Sequence, residues 1–94
     1  MQALIEAHRV ALLALASRRG VTDVRVFGSM SRGNSNSNSD VDLLVTLAPA
    51  TSALALGGLL LDAQELMGRR VDVATEASLH PSLRERVMAA ALLL

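Results

Sequence analysis

Asp40-Val41-Asp42 runs directly into Leu43-Leu44-Val45, placing an acidic pair at the mouth of an apolar segment. Side chains alternate across a strand, so Asp40 and Asp42 share one face while Val41, Leu43, Val45 and Leu47 share the other. Aspartate is depleted in strands, and neighbouring carboxylates on one face repel each other. The run Leu43-Leu44-Val45 nevertheless predicts a buried, central strand. An acidic pair at the entrance to such a strand needs a reason. An Asp-x-Asp on a solvated strand face is the ordinary explanation; neutralisation by divalent cations is the chemical one.

Two further features bear on that choice. Asp72 stands between Val71 and Val73 in a second short strand-like segment, so a third carboxylate can converge if the two strands adjoin. Two carboxylates would then bridge a metal pair, and the third could also take a proton from an attacking hydroxyl. Gly28-Ser29 follows Val24-Arg25-Val26-Phe27. Glycine permits a sharp turn and close approach to a ligand, and free N–H groups at a helix start attract phosphate oxygens. A Gly-Ser pair alone is equally an ordinary strand-to-helix turn with Ser29 as cap. Carboxylates and Gly-Ser in this order suggest phosphoryl or nucleotidyl transfer.

Composition removes several other classes. The chain has no cysteine, which excludes disulfides, thiol catalysis and Cys-ligated zinc. It has no lysine, so a Walker A phosphate loop is absent. Phe27 is the only aromatic residue, leaving no stacking platform for single-stranded nucleic acid. Nine arginines balance nine acids for a formal charge of zero, so no basic field favours direct nucleic-acid binding. The 94 residues, 51% of them apolar, suit one domain, 1–94, with a folded core. Glu6, His8 and Arg9 interrupt the first apolar stretch, and no run approaches the roughly 20 residues of a membrane span. The expectation is a cytoplasmic protein without membrane contact.

The periodicities predict an α/β fold: a small mixed β-sheet with flanking helices. Residues 2–19 suit a helix with Leu4, Ala11, Leu12 and Leu15 on neighbouring faces and Gly20 as its left-handed stop. Val24–Phe27 reads as a short strand, residues 29–33 as a single helical turn, and Asn34–Ser39 as a polar loop. The acidic strand ends before Pro49. Ala53–Met67 carries Leu56, Leu59, Leu60, Ala63, Leu66 and Met67 at helical spacing, with Gly68 as stop. Leu54 and Leu61 fall away from that stripe, as ordinary wide burial or a seam for a partner. Arg70–Thr75 reads as a strand, with Arg69-Arg70 at a solvated strand entrance or against phosphate. Pro81 opens a last helix in which Leu83 and Val87 share a face. His8 and His80 lack ligand spacing and suit surface or capping roles. Ala89–Leu94 is either the end of a packed helix or an exposed contact patch.

Gly28-Ser29-Met30-Ser31-Arg32-Gly33, followed by Ser39-Asp40-Val41-Asp42-Leu43-Leu44-Val45, resembles the signature of the DNA polymerase β-type nucleotidyltransferases. The closer resemblance is to the minimal nucleotidyltransferase (MNT, or MntA antitoxin) branch, and it extends across nearly the whole chain. Gly68–Val73 and His80–Val87 look like that branch's C-terminal half. The resemblance implies a nucleotidyltransferase fold in which Asp40, Asp42 and Asp72 bind Mg²⁺ and carry catalysis. It implies that Gly28 and Ser29 hold the phosphates of ATP, with Arg32 steadying phosphate or the loop. Ser31 stands where the pattern commonly has alanine. The implied activity is transfer of AMP from ATP to a tyrosine of a HEPN ribonuclease toxin, within a hetero-oligomer. A chain this short has little left for a second lobe, which agrees with a partner completing the site. A binding-only antitoxin and an aminoglycoside-like small-molecule nucleotidyltransferase are the alternatives. Intact Asp40, Asp42 and Asp72 count against the first, and missing second-lobe sequence against the second.

Overall fold

The computed structural model describes residues 3–28 and 39–94. Helix α1 (Ala3–Arg18) leads into β1 (Val21–Phe27); β2 (Val41–Leu47), α2 (Leu54–Met67) and β3 (Val71–Thr75) follow. A short 3₁₀ turn (Glu76–Ser78) precedes α3 (Pro81–Ala90) and the two-residue strand β4 (Leu92–Leu93). The four strands form one mixed sheet in the order β3-β2-β1-β4. β1 runs antiparallel to β2 and β4, whereas β2 and β3 are parallel and joined through α2. The α/β expectation holds: three helices accompany a four-stranded mixed sheet among the described residues.

One face of the sheet carries the core. Ile5, Leu12 and Ala16 of α1 and Leu59, Ala63 and Met67 of α2 are buried with Val24, Val26, Val41, Leu43, Val45 and Val71. On β2 those residues are the odd-numbered positions, as strand alternation requires. Leu12 and Leu59 are fully buried, each worth on the order of 1.5–3 kcal/mol relative to exposure. Gly68 closes α2 in the left-handed conformation (φ 64°), its N–H donating to the Gln64 carbonyl at 2.8 Å.

Several boundaries and faces differ from the expectations. The first strand begins at Val21, because buried Val21 pairs with Leu47 before a register irregularity leads to Asp23–Thr46. The buried stripe of α1 is Ile5, Leu12 and Ala16, while Ala11 faces outward. Of its expected stripe α2 buries Leu59, Ala63 and Met67 and packs Leu56 and Leu66 against them, while Leu60 stays outside that cluster. Leu54 and Leu61 lie off the stripe at 85% and 65% exposure. Arg70 falls just outside β3. The last three leucines are neither helix nor simple patch: Leu92 and Leu93 pair with Val26 and Arg25, and Leu94 tucks into the core. Leu94 N–H donates to the Val24 carbonyl at 2.9 Å, and Arg9 Nε donates to the Leu94 carbonyl oxygen at the same distance. The expected turn at 29–33 and loop residues 34–38 lie outside the described residues.

Candidate active site

The sheet register decides whether the three carboxylates meet. Phe27 of β1 pairs with Asp42 of β2, and Asp42 pairs with Asp72 of β3. These residues form one row across three adjacent strands, and adjacent strands lie about 4.8 Å apart. Asp40 precedes β2 by one residue and Asp42 by two positions, so it stands at the mouth of the same strand. All lie at one end of the sheet, where β1 finishes and the parallel strands β2 and β3 begin.

Alternation aims Asp42 and Asp72 away from the helices that cover the core. The same face carries Leu44 and Thr46 on β2, and Leu44 is flanked in register by Arg25 and Ala74. Leu44 is only 3% exposed yet stands apart from the main core cluster. An apolar floor therefore adjoins the carboxylate row. Asp42 itself is half-buried, Asp40 likewise, and Asp72 exposed.

This crowding shows in the chemistry of Asp42. Burial raises its carboxyl above the ordinary aspartate value, and the charges of Asp72 and then Asp40 raise it further. Ionised Asp42 is thus disfavoured by its own surroundings, and a cation would reverse that. The donors are all oxygen, which suits a hard divalent ion. Among the described residues, no three aspartate, glutamate or histidine side chains are arranged to grip a metal as they stand. His80 caps α3, its Nδ1 accepting from Ser82 N–H, and His8 bonds to the Leu4 carbonyl at 2.9 Å.

Gly28 closes the row from the β1 side. Its φ of 71° lies in the left-handed region, and a β-carbon there would meet Asp42 Oδ2 at 2.5 Å. Any side chain at 28 would strain the backbone and displace the carboxylate. Sequence reasoning assigned Gly28 to phosphate approach and missed this second demand. Ser29 and Arg32 lie outside the described residues.

The entrances of β2 and β3 are fastened to each other. Val41 N–H donates to the Arg70 carbonyl at 2.9 Å, and Arg69 Nη1 approaches the Ser39 carbonyl at 3.5 Å. Val71 N–H, one residue before Asp72, donates to Gln64 Oε1 at 3.2 Å. Nothing in the spacing of α2 singled out Gln64, whose role depends on where the helix meets the strand.

A mixed sheet backed by helices on one face, with a row of aspartates beside a glycine turn on the other, is the architecture of a nucleotidyltransferase. The Nucleotidyltransferase domain family matches residues 8–94, and the chain belongs to its minimal nucleotidyltransferase branch. A protein of Methanocaldococcus jannaschii provisionally named a protein adenylyltransferase is 34% identical over 82% of this chain and 83% of its own. The protein adenylyltransferase MntA of Thermococcus cleftensis is 33% identical over 94% of this chain and 86% of its own. A solved structure provisionally assigned as a minimal nucleotidyltransferase superposes at a TM-score of 0.86 with 42% identity. That match covers all of this chain (100%) and 97% of the other. At 18% identity, the likeness to an MNT antitoxin solved with a tri-AMPylated HEPN toxin of Shewanella oneidensis speaks to the fold alone. Its TM-score is 0.69, over 94% of this chain and 69% of that one.

Proposed function

We propose that this chain transfers AMP from ATP to a tyrosine hydroxyl of a HEPN ribonuclease toxin, acting as the antitoxin of the pair. The observation that carries the reading is the in-register Asp42–Asp72 pair with Asp40 at the same strand mouth. The two curated relatives above one-third identity or close to it, both named as protein adenylyltransferases, support the choice of a protein acceptor.

In this reading Asp40, Asp42 and Asp72 hold Mg²⁺, which when bound supplies positive charge against the triphosphate. The Gly28 turn brings backbone close to the phosphates, Ser29 adds a donor, and Arg32 steadies the anion or its loop. Asp72, the most open of the three, accepts the proton of the attacking hydroxyl. The tyrosine oxygen bonds to the α-phosphorus, the α–β phosphoanhydride breaks, and pyrophosphate leaves with its electron pair. The formal net charge of zero over the chain supports an acceptor presented by a folded partner rather than a nucleic-acid strand.

Co-expression with a cognate HEPN toxin, followed by size-exclusion chromatography and intact mass, tests the proposal. The expected result is a hetero-oligomer in which the toxin carries added adenylyl mass. A complex without added mass in the presence of ATP and Mg²⁺ leaves a binding-only antitoxin. A partner that neither binds nor gains mass leaves a small-molecule acceptor. Exposed Leu54 and Leu61 on α2 are the apolar seam proposed for the partner, and Leu61→Glu is expected to weaken the complex while leaving the core intact.

A further inference from the structure

The carboxylate row depends on two strand entrances being level. Asp72 lies only one residue inside β3, and the preceding segment, Gly68 to Arg70, links it to the end of α2. Among the described residues β3 is the outermost strand on its side of the sheet, held by one neighbouring strand rather than two. Such an edge can slide or fray more readily than a central strand. A slip of one residue would turn Asp72 to the helical face.

Gln64 acts against that slip from two directions. Its main-chain carbonyl accepts the Gly68 N–H at 2.8 Å, fixing where α2 stops. Its side-chain Oε1 accepts the Val71 N–H at 3.2 Å, fixing where β3 starts. One residue thus sets both ends of the three-residue connection. The connection in turn reaches β2: the Arg70 carbonyl accepts Val41 N–H, and Arg69 approaches the Ser39 carbonyl. The chain of contacts runs from Gln64 to the residues immediately before Asp72 and Asp42. It uses an uncharged acceptor, which adds no negative charge beside a row that already repels itself.

We propose that Gln64 is a positioning residue for the nucleotidyltransferase site: its side chain sets β3 so that Asp72 stands level with Asp42. The inference rests on the metal-binding reading of the carboxylates given above. Gln64→Met keeps the length and helix propensity of the side chain but removes the acceptor. Gln64→Glu keeps an acceptor and adds charge.

Amide hydrogen exchange at Val71 and Asp72 and Mg²⁺ titration with a non-hydrolysable ATP analogue test the assignment in the full chain. In Gln64→Met, Val71 and Asp72 are expected to lose protection while the buried strand β2 keeps it. The apparent Mg²⁺ affinity is expected to fall about tenfold, as for outer-shell partners of metal ligands. ATP-analogue affinity measured at saturating Mg²⁺ should change by less than about threefold. Gln64→Glu should retain the exchange protection of Val71. Unchanged protection and Mg²⁺ affinity in Gln64→Met would overturn the positioning role, and so would uniform loss of protection across the sheet in both variants. If the wild-type chain binds no Mg²⁺, the metal reading fails, while the exchange pattern at Val71 and Asp72 still decides whether Gln64 sets the strand.

Discussion

The two faces of β2 differ sharply. Val41, Leu43 and Val45 disappear beneath α1 and α2, whereas Asp42 and Thr46 on the opposite face meet water beside buried Leu44. The first face follows the rule that apolar area leaves water. The second breaks it where Asp42 adjoins Asp72 in register and Asp40 in sequence. The same strand therefore stores stability on one side and electrostatic repulsion on the other. On the proposed reading, the chemistry falls on the second face, where repulsion persists that a bound cation would relieve.

Substitutions on the two faces should fail in different ways. Leu12→Ala removes a fully buried side chain from the covered face and is expected to cost about 2–5 kcal/mol. Chemical denaturation should show a lower midpoint, and adenylyl transfer should survive wherever the chain remains folded. Gly28→Ala acts at the site end. Left-handed strain of about 1–2 kcal/mol adds to the clash with Asp42 Oδ2, so stability and transfer should both fall. Retention of full transfer by this variant would break the close-packing argument.

Asp42→Asn should separate the faces most cleanly, because it abolishes transfer while the apo protein gains stability. The raised carboxyl is a destabilising linkage: the folded state binds the proton more tightly than the unfolded state. The penalty is absent below the unfolded value near 3.8, grows as pH rises through the elevated folded value, and is complete above it. Removing it should raise the neutral-pH midpoint of the metal-free protein. Solvent screening keeps the gain below about 1 kcal/mol, the ordinary ceiling for exposed charge pairs, so the midpoint should rise by less than about 4–8 °C. The advantage should disappear in melts at a pH below about 3.8.

The smallest effect belongs to the far end of β2. Ala50 adopts φ 66° in the turn that follows the strand, remote from the carboxylates. Ala50→Gly should relieve that strain, offset in part by glycine's greater freedom when unfolded, for a net gain of about 0.5 kcal/mol. Transfer should not change. Positive φ at Gly28 lies against Asp42, whereas positive φ at Ala50 lies in the turn after β2.

Much of this contrast was legible before the fold. Alternation around Asp42 and Asp72, and the stripe from Leu56 to Met67, follow from local periodicity, which one sequence displays directly. The level pairing of Asp42 with Asp72 required the two strands to be parallel neighbours, a non-local fact that the Asp-bearing strands could suggest only as a condition. Val21 escaped notice because its burial comes from pairing with Leu47 across a register irregularity. Leu92 and Leu93 read as helix end or surface because nothing local signals a two-residue strand held by β1. Gln64 was silent for the same reason, since its partner lies in the next element. Arg32 rests on motif resemblance alone, and Ser29 on that resemblance together with the chemistry of a Gly-Ser turn.

The central claim is that the carboxylate row is repulsive until a divalent cation and nucleotide occupy it. Its most direct test is a set of thermal melts of wild type and Asp42→Asn at neutral pH, with and without saturating Mg²⁺ and a non-hydrolysable ATP analogue. The order should cross: Asp42→Asn more stable without ligand, wild type more stable with it, since ligand binding to the folded state adds stability only where the site is intact. Equal stabilisation of both proteins by Mg²⁺ and the analogue, or an Asn variant less stable than wild type in both conditions, would contradict it.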